Sequence, residues 1–208
     1  MRSSSAGAEM LADKEKAAEN TLCILNGFDA VWGHFRPAEP RVPLSIDAIV
    51  EKDNFAFLAI GRPETKGCYC RINSYLKSVI ETVGNQFDYI VIDCEAGIEQ
   101  VNRRVIEEVT HLLLVSDASR KGIEVIKSIS KVASEAVKYD KMACIFNRIE
   151  DESLLENVDL DGLECVGVVK SDKEIARFDA VAKDFMLMDD NNECVKGTYN
   201  ALKKFGII

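Results

Sequence analysis

No apolar run in the 208 residues approaches the roughly 18 that a membrane helix needs. The opening Met1-Arg-Ser-Ser-Ser-Ala-Gly-Ala is small and polar, without the apolar stretch of a signal peptide. No basic patch stands out either. The net charge is −9, with acidic and basic residues interleaved, which argues against a surface that neutralises nucleic-acid phosphates. The two histidines, His34 and His111, are isolated and have no metal-type partner spacing, so neither Ser/His/Asp nor Cys/His catalysis can be built on them. Proline is scarce, and three of the four (Pro37, Pro40, Pro43) fall within 33–47, which marks that stretch as a loop. No internal repeat or long linker interrupts the chain.

What remains is the composition of a soluble globular protein, long enough for one domain with a full core. We expect a single domain over 1–208 in a cytoplasmic, reducing setting, with residues 1–22 as a flexible or atypical N-terminal segment. Seven cysteines are many for an intracellular chain, yet they form no evenly spaced disulfide framework. Cys94, Cys144 and Cys165 lie in or beside apolar runs and read as small core residues.

Four unalternating apolar runs predict strands buried on both faces, as in a parallel sheet: 87–92, 111–115, 141–146 and 165–169. A fifth, 54–60, ends at Gly61-Arg62-Pro63 and also reads as a strand. Helical spacing predicts helices over 71–83, 98–108, 121–138, 172–183 and 193–205. Strand and helix alternate, so the fold class is α/β, with a doubly wound, mostly parallel sheet.

Ligands of such sheets sit at the carboxyl ends of strands. Asp93 ends the first of the four runs, where a carboxylate can serve magnesium or cap the next helix; Gly97 allows a sharp turn close to a ligand. Ser116-Asp117-Ala-Ser119 reads as an anion site or, more simply, as a helix cap. Asn147 could pair with both edges of an adenine-type base while Arg148 covers the ring, although Asn-Arg alone is a weak signal. Lys170-Ser-Asp172 reads as a strand end with a helix cap. In Lys66-Gly-Cys68-Tyr-Cys70-Arg71 two thiols two residues apart point the same way in extended chain, flanked by charges that favour thiolates. A symmetric dimer would complete a four-sulfur site for zinc, copper(I) or nickel; the alternative is two chance cysteines in a loop.

The order Gly67-Cys68-Tyr69-Cys70, a helix, Tyr89-Ile-Val-Ile-Asp93-Cys-Glu-Ala-Gly97-Ile-Glu99, and later Asn147-Arg148 resembles the CooC-type nickel-insertion ATPases, in the MinD-like branch of P-loop ATPases. The likeness covers roughly residues 55–208. It implies a MinD-like P-loop NTPase fold and a homodimer driven by ATP. Cys68 and Cys70 of both subunits would grip one nickel or zinc ion. Asp93 would serve Mg²⁺ as the catalytic carboxylate, and Asn147 and Arg148 would hold the adenine of ATP or ADP. Carbon monoxide dehydrogenase or acetyl-CoA synthase would be the client, with no nucleic acid or membrane partner. A MinD/ParA-type protein acting on a surface ranks last, because Lys196, Lys203 and Lys204 make too small a basic face.

The resemblance departs most at its opening. The family opens with a strand and a Lys-Gly-Gly-x-Gly-Lys-Thr loop, and nothing in the chain matches it. Gly162 and Gly167 have the spacing but are followed by Val168 rather than lysine. Cys94, Gln100 and Lys170 also replace the family's usual residues. The expectation is therefore a fold whose first strand and P-loop unit are missing, in a fragment or in a relative that has lost hydrolysis. If that unit is central, its neighbours' edges must be covered, either by dimerisation or by residues 8–30.

Overall fold

A computed structural model describes residues 21–28, 49–52, 55–61, 87–94 and 108–208. Most of the N-terminal tail, the proline-bearing stretch, the helix expected over 71–83 and all but the last residue of the one expected over 98–108 lie outside them. The chain forms two compact units, Met1–Ala96 and Gly97–Ile208.

In the first unit, four strands form one sheet: β1 (Thr21–Phe28), β2 (Ile49–Lys52), β3 (Phe55–Gly61) and β4 (Tyr89–Asp93), in the order β2-β3-β1-β4. β1 runs parallel to both β3 and β4, with Thr21 opposite Phe55 on one side and Tyr89 on the other. No strand was read from the sequence at 21–28. β1 lies between β3 and β4, within the stretch 8–30. β2 is antiparallel to β3. β3 and β4 fall where the apolar runs place them, and Ala56 is buried.

The second unit holds a parallel three-stranded sheet, β5-β6-β7: β5 (Glu108–Ser116), β6 (Lys138–Ile149) and β7 (Cys165–Lys170). Helix α1 (Arg120–Ala136) joins β5 to β6. Helices α2 (Lys173–Ala180) and α3 (Glu193–Phe205) follow β7. Ala143, Cys144, Ile145 and Phe146 are all buried, as a strand covered on both faces requires.

The alternation of side chains along β6 sorts the core into two layers. Cys144 and Phe146 pack with Leu114, Ile149 and Ile126 of α1. Ala143 packs with Val166 and with Phe205 of α3. Burying a ring such as Phe205 contributes about 1.5–3 kcal/mol. The helices therefore cover opposite faces, the doubly wound arrangement predicted.

The helix ends explain the boundaries. The Ser119 side chain accepts from the N–H of Gly122, opening α1. Asp172 accepts from the N–H groups of Glu174 and Ile175, opening α2. Asn192 does the same for Cys194 and Val195 at the start of α3. Gly206 closes α3 at φ 81°, the left-handed conformation that glycine adopts without a Cβ penalty. The expected span of α3 matches the observed one. α2 is shorter than expected, since Ala182 turns to φ 51° beyond Val181.

β7 and α3 approach closely. A Cβ built on Gly167 would lie 2.4 Å from Cβ of Ala201. Across the unit, Lys127 and Lys131 of α1 both reach Asp161 at 2.9 Å, tying the helix to the β6–β7 connection.

Candidate functional site: the carboxyl edge of the parallel strands

Because β5, β6 and β7 run parallel, their carboxyl ends share one edge of the sheet. Ser116-Asp117, Asn147-Arg148 and Lys170-Ser171-Asp172 gather there.

The β6 end is irregular. Its register against β7 shifts between Phe146 and Ile149, and Arg148 adopts φ 60°. Such a value is uncommon for a non-glycine residue and costs on the order of 1–3 kcal/mol. The Asn147 side chain supports the turn, its Oδ1 accepting the Arg148 N–H at 2.9 Å. Beyond it the strand rejoins β7, Ile149 O accepting from Ser171 N at 3.0 Å. A bulge of this kind re-aims side chains. Arg148 is left exposed and Asn147 partly so.

Asp117 lies beside this turn. Its Oδ1 accepts from both the N–H and the hydroxyl of Ser119. Those bonds, reinforced by the charge of Arg148, hold its carboxyl below the usual carboxylate range. Gly122 completes the loop, because a Cβ there would come within 2.5 Å of Asp117 Oδ1 and 2.6 Å of Ser116 Oγ. The Ser116–Gly122 segment thus caps a helix, the simpler of its two sequence readings. The link from Asp117 to Arg148 was not read from the sequence, since about 30 residues separate them and only the parallel pairing of β5 with β6 brings the two ends together.

At the β7 end, an open depression is lined by Ser171, Asp172, Lys173, Glu174, Arg177 and Phe178. Asp172 is the expected cap, but it also joins a wider knot. Nδ2 of the buried Asn192 donates to Asp172 at 3.2 Å and to Glu174 at 3.1 Å. The starts of α2 and α3 are tied together in this way, which local sequence could not reveal.

Asp93 ends β4 in the first unit and is partly buried. Beside it the Cys94 residue has exposed surface, while desolvation of its thiol and the charge of Asp93 push its pKa up to about 12. Cys144 is fully buried as expected, and Cys165 is half-buried. Gly97, Cys68 and Cys70 lie outside the described residues. Among the described residues, no three His, Cys, Asp or Glu side chains are grouped to hold a metal ion, and no helix is long and apolar enough to cross a membrane.

No family model matches the chain. Its fold is that of the MinD/ParA P-loop NTPases. MinD of Aquifex aeolicus superposes at TM-score 0.68, with 15% identity, over 97% of this chain and 88% of that one. MinD of Pyrococcus horikoshii complexed with Mg-ADP gives 0.65 at 14% identity, over 98% and 90%. A ParA family ATPase of Chlorobium tepidum gives 0.67 at 15%, over 96% and 91%.

By sequence the chain is similar to proteins described as ATP-binding. An uncharacterized ATP-binding protein of Methanocaldococcus jannaschii is 34% identical over 154 residues, 72% of this chain and 61% of the relative. A second from the same organism is 30% identical over 145 residues, 64% of this chain and 57% of the relative. The chain thus spans about three fifths of the length of these two relatives. The chain thus has the fold of the MinD/ParA P-loop NTPases and is similar in sequence to these ATP-binding proteins.

Proposed function

We propose that the chain works as an ATP-dependent metal-centre maturation protein of the CooC kind. In this reading Asn147 and Arg148 hold the adenine of ATP. Asp93 serves its magnesium ion beside Gly97, and Cys68 and Cys70 of two subunits grip the delivered ion, nickel or zinc. The client would be carbon monoxide dehydrogenase or acetyl-CoA synthase.

The observation that carries the nucleotide half is the Asn147–Arg148 turn at the carboxyl edge of β6. An asparagine amide offers a donor and an acceptor side by side, the pair that an adenine edge needs. The Arg148 N–H engages Oδ1 and fixes the amide plane, while the second lone pair of that oxygen is left for a base. The exposed guanidinium next to it suits the face of a ring. Asp93, a carboxylate fixed at a strand end, has the hard oxygen donors that magnesium prefers. When bound, the ion would neutralise phosphate charge; this chain's part is to position it and the base. The metal half rests on Gly67-Cys68-Tyr69-Cys70 and its likeness to the family's motif.

Two measurements on the reduced protein test the halves separately. Binding of a fluorescent ATP analogue with Mg²⁺ should weaken at least about tenfold in Asn147→Ala, the loss of one or two hydrogen bonds to a base. An unchanged affinity would refute the adenine assignment. Metal analysis should find one nickel or zinc ion per two chains, lost in Cys68→Ala/Cys70→Ala. No metal in either protein would sink the maturation reading.

One observation favours a second reading, a relative that binds metal without hydrolysing ATP. β1 sits centrally in its sheet, yet no lysine occurs between Phe28 and Lys52 to follow it. Without a lysine on the phosphates, hydrolysis loses a principal charge stabiliser. Phosphate release no faster than the blank, with analogue binding intact, would select this reading.

A further inference from the structure

β6 and β7 place two cysteines side by side. Cys144 and Cys165 are register partners on adjacent parallel strands, and both are free thiols. Neighbouring strands lie about 4.8 Å apart, within the 4.4–6.8 Å of Cα separation that a disulfide spans. Both side chains belong to the core layer beneath α1, so they leave the sheet on the same face. Among the described cysteines, they are the one pair that strand register brings together.

The two thiols are not equivalent. Cys144 is fully buried, whereas Cys165 begins β7 and is half-buried. The Sγ of Cys165 lies 3.4 Å from the carbonyl oxygen of Gly167, which turns it along its own strand. Lys204 of α3 stands over the same residue, its Nζ donating to the Cys165 carbonyl at 2.8 Å. The hydrogen bond from Cys144, with the charge of Lys204 in support, lowers the Cys165 thiol; the same hydrogen bond, together with burial, raises that of Cys144. The other buried thiol, Cys194, has no such partner, and burial pushes it up to about 11.

We propose that Cys165 and Cys144 form a dithiol modification site, in which Cys165 reacts with a hydroperoxide and Cys144 resolves the product as a β6–β7 disulfide. In the first step the Cys165 thiolate attacks one peroxide oxygen. An S–O bond forms, the O–O bond breaks, and the departing hydroxide takes a proton to become water. In the second step the Cys144 sulfur attacks the sulfenic sulfur. The S–S bond forms, the S–O bond breaks, and the hydroxyl leaves as water with the Cys144 proton. Two thiols lose two electrons and two protons in all, and one hydrogen peroxide becomes two waters. The thiolate is the reacting species, and the half-buried Cys165 at the start of β7 is the thiol a hydroperoxide can reach, whereas Cys144 is fully enclosed. The site is independent of the metal reading, because Cys68 and Cys70 take no part in it.

The test uses the full chain, reduced, freed of reductant and exposed to near-stoichiometric hydrogen peroxide. After alkylation and proteolysis, mass spectrometry should find Cys144 and Cys165 in one linked peptide pair, lighter by two hydrogens and restored by reductant. In Cys144→Ser, Cys165 should instead gain one oxygen and be captured by a 1,3-dione probe. In Cys165→Ser, Cys144 should stay unmodified. A wild-type map with Cys165 unmodified while exposed Cys94 oxidises would overturn the proposal, as would a disulfide to any other cysteine. The wild-type map decides even if a variant fails to fold.

Discussion

Adding a single methyl group at Gly167 should force β7 and α3 apart. The new Cβ would lie 2.4 Å from Cβ and 3.2 Å from Cα of Ala201, which is itself buried. Carbon atoms in a core rest about 3.5–4.0 Å apart. Both atoms are anchored to backbone, so no rotamer change relieves the clash, and the helix must shift by about an ångström. Overpacking of this sort costs roughly 1–3 kcal/mol. The lower entropy of the unfolded Gly167→Ala chain returns about 0.4–1 kcal/mol. A net loss of about 1–2 kcal/mol is expected, or a fall in melting temperature of roughly 2–8 °C for a chain of this size. Ala201→Gly alone should cost about 1 kcal/mol in helix propensity. Combined, the two changes move the methyl from helix to strand and remove the 2.4 Å contact, leaving only the milder 3.2 Å approach to the Cα of residue 201. The double variant should therefore be more stable than the sum of the single losses by about 1–2 kcal/mol. Urea unfolding of the four proteins reads this coupling directly. A Gly167→Ala protein as stable as the parent, or strictly additive losses, would refute the reasoning.

Other expectations follow from the same unit. Hydrogen bonds from Lys127 and Lys131 hold the Asp161 carboxyl below its usual range, as those from Ser119 do for Asp117. Their folded pKa values are depressed, so the stability they contribute is present above the unfolded value of about 3.9 and is lost as pH falls through the folded values. Asp161→Asn should flatten the acid limb of a stability-against-pH curve; an unchanged limb would count against this. His111 carries a buried Nε2 without a hydrogen-bond partner and meets the Phe205 ring edge-on at 5.0 Å. His111→Phe should thus be neutral or stabilising by up to about 1–3 kcal/mol in urea unfolding, since it removes an unmet polar atom; a clear loss of stability would contradict this.

The second unit was the more legible of the two, for a physical reason. Strands covered on both faces need unbroken apolar runs, and 141–146 and 165–169 stand out from the charged helices around them. The span of α3 was readable because Asn192 and Gly206 punctuate it. β1 escaped notice: its short apolar core, Leu22-Cys-Ile-Leu25, borders Asn26 and Gly27 and follows a charged tail, so no periodic signal brackets it. β2, with four residues at a sheet edge, is too short for a pattern to emerge. At the candidate site the sequence identified Asn147 and Arg148 as a pair but gave no sign of the bulge that turns them outward. The Asp117–Arg148 and Asp172–Asn192 links, and the register of Cys144 with Cys165, depend on how elements align in space, which local composition does not encode.

Within the second unit, β6 is the strand with neighbours on both edges and helices over both faces. Its amide protons at Ala143–Phe146 can meet solvent only when the sheet itself comes apart. In hydrogen–deuterium exchange those amides will be the last of the unit to give up their protons. Their exchange rate therefore reports the opening of the whole unit, against which the looser motions of the strand-end loops can be timed.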